Sequence, residues 1–70
     1  MNIKPGCTYK TAGGGFAIVE KELPDEPIYQ LYGKLFDQNM NYDRIGFWTT
    51  NGRYSLTHQT VFDIAGEHLI

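Results

Sequence analysis

Short apolar runs alternate along this chain with breaks rich in glycine, proline and asparagine, at the length of strands and too short for helices. Cys7-Thr8-Tyr9-Lys10-Thr11 predicts a first strand, and Ala12-Gly13-Gly14-Gly15 a tight turn or a close backbone approach. Phe16-Ala17-Ile18-Val19-Glu20-Lys21 predicts a second strand, apolar enough to be partly covered on both faces. Leu23-Pro24-Asp25-Glu26-Pro27 is a loop, because each proline removes a donor and disfavours helix in the residue before it. Ile28 to Phe36 predicts the longest strand, with Gly33 marking a bulge or sharp bend. Asp37 to Asp43 is a polar connection. Val61-Phe62-Asp63-Ile64 predicts a last short strand or a single turn leading into one. The tail from Ala65 to Ile70 is too short to stand alone, and Leu69 and Ile70 are placed to close one end of the core.

Between these lies the strongest local signal. Arg44 to Trp48 and Arg53 to Thr57 flank Asn51-Gly52, the dipeptide preferred in a two-residue type I′ hairpin turn. With Asn51 and Gly52 as the turn residues, Thr50 pairs with Arg53, Thr49 with Tyr54, Trp48 with Ser55 and Phe47 with Leu56. Ile45, Phe47, Thr49, Tyr54, Leu56 and His58 then share the face with more aliphatic and phenyl groups, the expected core side. Trp48 points outward beside Arg53, an arrangement common at binding hot spots. The competing reading buries Trp48 as a cap on the core, under the glycine turn or the tail.

Five or six such strands cannot bury one flat face alone, so the expected fold is all-β: a small, strongly bent antiparallel barrel, SH3-like, with an OB-like barrel as the alternative. Seventy residues make a single domain, residues 1–70, near the lower size limit for folding without staples. The lone cysteine, Cys7, cannot form an internal disulfide, which fits a reducing cytoplasm. A thin core would then need oligomerisation or unusually good aromatic packing. The formal charge of −2 creates no field that would call for nucleic acid or membrane. The first residues lack the apolar region of a secretion signal, and no apolar segment approaches a bilayer span.

The candidate chemistry is sparse. His58, His68 and Cys7 lack the spacing of metal ligands, so no metal or cofactor is expected. A Cys7–His58 pair has no visible third group to orient it. The carboxylates Asp25, Glu26, Asp37 and Asp43 all fall in loops. Gly13-Gly14-Gly15 lacks the lysine and hydroxyl residue that complete a phosphate loop. A non-enzymatic role is the resulting expectation.

The residues Tyr9-Lys10-Thr11, Gly14-Gly15, Tyr32-Gly33, Trp48-Thr49, Gly52-Arg53-Tyr54 and Phe62-Asp63-Ile64 resemble small uncharacterised bacteriophage and prophage proteins. In these a W-T-x-x-G-R/K-Y hairpin is followed shortly by D-L/I. The resemblance covers most of the chain and transfers no catalytic residue. It implies an accessory protein in a host bacterial cytoplasm, acting on host or defence machinery. Asp63 stands at the aspartate of that motif, where its side chain is expected to accept backbone N–H groups at a final turn.

Three functions are compatible with these residues. The first is protein–protein interaction, including self-association or a host bacterial protein as partner, through Trp48, Arg53, Tyr54 and Arg44, with Asn51, Gly52, Gly33, Gly14 and Asp63 as structural supports. The second is single-stranded nucleic-acid binding, with Tyr9, Phe16, Tyr32, Tyr42 and Trp48 stacking on bases and Lys10, Lys34, Arg44 and Arg53 meeting phosphates. The third is sequestration of a small molecule or nucleotide at a subunit interface.

Overall fold

Alternation decides the two faces of the sheet. Along Leu31-Tyr32-Gly33-Lys34-Leu35-Phe36 every odd-numbered residue is buried and every even-numbered one half-buried, as period-two strand geometry requires. The computed structural model describes residues 3–68, with side chains through residue 66. Leu69, Ile70 and the side chain of His68 lie outside the described residues. Five strands form one antiparallel sheet: β1 (Thr8–Thr11), β2 (Phe16–Glu22), β3 (Leu31–Phe36), β4 (Tyr42–Trp48) and β5 (Ile64–His68). Their order across the sheet is β4-β3-β2-β1-β5. Among the described residues no helix is long and apolar enough to cross a membrane.

The sheet is open, which overturns the SH3-like barrel and its OB-like alternative. A barrel needs strands that continue from one edge to the other, and Arg53 to Thr57, expected as the hairpin partner of Arg44 to Trp48, is irregular. The N–H of Tyr54 goes to the Asp63 carboxylate at 2.9 Å, and Ser55 and Thr57 bond to each other locally. β4 and β5 therefore remain the two edges. Two further boundaries differ. Ile28 to Gln30 stay outside β3, with Ile28 exposed. The tail supplies β5, because Ile64 onward finds a partner in β1.

The Asn51-Gly52 turn forms one residue out of the expected register. The N–H of Gly52 bonds to the Thr49 carbonyl and the N–H of Thr49 to the Arg53 carbonyl, both at 2.9 Å. Thr50 and Asn51 are thus the central turn residues, and only Gly52 adopts positive φ, at 84°. This is the type I turn plus left-handed residue of a longer hairpin loop. Gly33 holds no bulge itself: it pairs with Val19, and the register shift falls on β2 between Val19 and Lys21. Its role is close approach, since a Cβ there would collide with the Ile18 carbonyl oxygen.

The core is Ile3, Tyr9, Ala17, Val19, Leu31, Leu35, Trp48 and Ile64, with Cys7, Tyr54 and Phe62 packed against it. Among the described residues no second sheet or helix covers this inner face. Residues 49–63 do so as irregular chain, tied down at several points. The Trp48 Nε1–H donates to the Phe62 carbonyl at 2.9 Å, the N–H of Ile64 to Gly52, and those of Ala12 and Gly13 to Asp63 and Val61.

Candidate functional site

Trp48 is fully buried, at 0 % exposure, so the outward tryptophan is corrected. The inner face of β4 is Gly46 and Trp48, while Ile45 and Phe47, expected in the core, are 46 % and 44 % exposed. The physical reason is Gly46. A Cβ at that position would sit 2.5 Å from the indole Cη2, so the ring can lie flat only over a residue without a side chain. Gly46 pairs with Gly33 on β3. Trp48 and Arg53 do not make one hot spot.

The other predicted binding residues surround the covering segment. Tyr54 is half-buried with its ring 5.0 Å from that of Phe62. The Arg44 guanidinium lies 4.6 Å over the same Phe62 ring and 3.4 Å from Asp43. Arg53 turns to Asp63, with its buried Nε 3.7 Å from Oδ2, beyond hydrogen-bond reach. Asp63 is the organising group of this region. Its carboxylate accepts from the N–H of Tyr54 (2.9 Å), the hydroxyl of Thr60 (2.9 Å) and the N–H of Thr60 (3.3 Å). Burial works to raise its pKa, but the Tyr54 and Thr60 donors, helped by the Arg53 charge, hold it below the usual carboxylate value. These contacts are structural, and they explain why an aspartate stands just before β5.

The surface left bare is the opposite face of the sheet. Register places its side chains in three rows across the strands. One row is Lys10, Phe16, Phe36 and Tyr42; the next is Thr8, Ile18, Lys34 and Ile45; the third is Lys21, Tyr32 and Phe47. Within the rows, Phe36 meets Tyr42 edge-on at 5.9 Å and Tyr32 meets Phe47 at 5.3 Å. Lys10 lies 5.0 Å over Phe16, Lys21 lies 5.2 Å over Tyr32, and Lys34 pairs with Glu20 at 3.3 Å. The most exposed apolar groups of this face, Tyr42, Ile45 and Phe47, all stand on edge strand β4. The lysines belong to β1, β2 and β3, so the face is apolar toward one edge and basic toward the other.

Of the aromatics considered for stacking, Tyr9 and Trp48 are core, whereas Phe16, Tyr32 and Tyr42 share this outer face. Ile45 and Phe47, assigned to the core by the hairpin register, join them, as does Phe36 of β3. The signal that would have found them is Gly46, two residues before the only tryptophan, which marks the side where a large ring needs room. Among the described residues no three His, Cys, Asp or Glu come together to hold a metal ion. Cys7 is a half-buried free thiol against the core. No known protein family, curated protein or solved structure matches this chain.

Proposed function

We propose that this is a non-enzymatic binding protein that works by protein–protein contact, beginning with self-association through the outer face of β3 and β4. The carrying observation is the exposed apolar column Tyr42, Ile45 and Phe47 on an edge strand, backed by Phe36 and Tyr32. A sheet normally buries both its apolar faces or solvates one with polar groups. Here irregular chain covers the inner side while aromatic rings stand in water on the other. Patches of this kind mark contact sites, and a core this small gains most from an added layer. A second copy seated on the same rows would supply that layer with the symmetry usual for dimers. In the bacterial, phage-encoded setting implied by the resemblance, the same face would take a host protein.

Light scattering across a concentration series tests this reading with wild type and Ile45→Glu, which places a charge in the column without touching the core. A wild-type dimer that becomes a folded monomer in the variant supports it. A strict wild-type monomer defeats self-association. The second reading, single-stranded nucleic acid, draws on Lys10, Lys21 and Lys34 sharing the face with the rings. Binding of labelled oligothymidine that weakens steeply with salt would favour it instead.

A further inference from the structure

One cavity lies at the margin of the core, between Tyr54 of the covering segment and Phe47 of β4. It lies where β2 ends, β3 begins and β4 runs out. Leu23, Glu26, Tyr29, Phe47 and Tyr54 line about 420 Å³, a size that admits a small organic molecule. Three aromatic rings and one carboxylate meet there, and neither lysine nor arginine lines it. Arg53, adjacent to Tyr54 in sequence, faces Asp63 instead. The loop bearing Glu26 is tied in place: Leu23 N–H donates to Gln30 O at 2.8 Å, Glu26 N–H to Leu23 O at 3.0 Å, and the Gln30 amide to Glu26 O at 2.8 Å. The Glu26 carboxylate forms no ion pair among the described residues. Its charge is available to a ligand.

Ring faces are electronegative and attract cations, most strongly where water is partly excluded. A carboxylate beside them adds a full negative charge with no competing cation in the wall. We infer that this cavity binds an organic cation bearing a methylated ammonium head group, held between Tyr29, Phe47 and Tyr54 and neutralised by Glu26. The chemistry selects against anions, because nothing lining the cavity carries positive charge. It also disfavours bare ammonium, which keeps its water more tightly than a methylated one.

The test is calorimetric titration of the intact protein with tetramethylammonium, choline and the neutral isostere of choline in which carbon replaces nitrogen. The expected result is saturable binding of both cations, with the neutral isostere about tenfold weaker. Tyr29→Ala should weaken choline about tenfold, and Glu26→Gln several-fold, with unchanged thermal unfolding. Phe47 belongs to both the cavity and the outer face, whereas Tyr29 and Glu26 do not, so titrating Ile45→Glu beside wild type separates the two readings. Equal binding of the neutral isostere would reduce the site to an apolar hollow and overturn the inference, as would no binding of either cation. A trimethyl-lysine peptide separates the sources: tighter binding than choline places the head group on a protein side chain, and weaker binding on a free small molecule.

Discussion

Thr11–Gly15 and Thr49–Arg53 are the same turn in two places. In each, the first residue's N–H donates to the fifth residue's carbonyl, at 3.0 and 2.9 Å, and the fourth residue's N–H returns to the first carbonyl. In each, the threonine Oγ1 accepts the fifth N–H at 3.1 Å, and the fourth residue is a glycine at positive φ, 91° and 84°. A third copy, Asp37–Asn41, uses a carboxylate in place of the hydroxyl and Met40 in place of glycine. There the Asn41 N–H, opposed by slight desolvation and aided by the Asn39 N–H, holds the Asp37 carboxyl below its ordinary value. The Asp37 and Thr11 turns each join two paired strands. The Thr49 turn leads into no strand, because Asp63 takes the Tyr54 N–H and the chain crosses the core instead. Turn chemistry therefore sets the reversal of the chain, while partners distant in sequence set the path the backbone takes beyond it.

The largest way to break this contrast is Trp48→Ala. The indole is what the chain after Thr49 covers and bonds to, and deleting it from a closed site costs about 3–5 kcal/mol. That is comparable with the whole stability of a domain this small, so circular dichroism should show an unfolded or largely destabilised chain. A native, cooperatively melting variant would mean that the covering segment folds independently of the indole.

The next effect sharpens the comparison of the turns themselves. Gly14→Ala and Gly52→Ala both force alanine into the left-handed region, at about 1–2 kcal/mol. An added Cβ at Gly14 meets open space, whereas at Gly52 it meets Ile3 Cδ1 at 3.0 Å and Ile64 Cβ at 3.1 Å. Overpacking adds about 1–3 kcal/mol at the second site. Urea unfolding should rank Gly52→Ala below Gly14→Ala, and equal losses would show that the two turns sit in equivalent surroundings.

A third effect, and the one that depends on pH, is at Asp63. Replacing it with asparagine removes the charge from three hydrogen bonds and should cost about 2 kcal/mol at neutral pH. Its folded pKa is lowered, so its stabilisation is fully present above about pH 4, the unfolded value, and is lost as pH falls through the folded value. Melting temperature against pH should therefore fall less steeply in acid for Asp63→Asn than for wild type. Parallel profiles would show that Asp63 titrates alike in folded and unfolded chains.

The amino-acid order alone placed most of the sheet. The short apolar runs over Phe16–Lys21 and Ile28–Phe36, and the glycine and Asp-Asn breaks between strands, depend on neighbours a few residues away and are readable locally. The carboxylate role of Asp63 was legible for the same reason, since short polar side chains bond nearby backbone. The face of β4 was not. Ile45 and Phe47 look like core by composition, and only the packing of Trp48 over Gly46 turns that strand the other way. Closure was not legible either: whether Arg53–Thr57 pairs with β4 depends on Asp63, further along the chain, competing for the Tyr54 N–H. Strand existence is a matter of local pattern, but which face is inside and whether a sheet closes are settled by contacts between residues far apart in the chain. The exposed aromatic face and the Tyr29–Phe47–Tyr54 cavity arise from those contacts and were visible only once they were made.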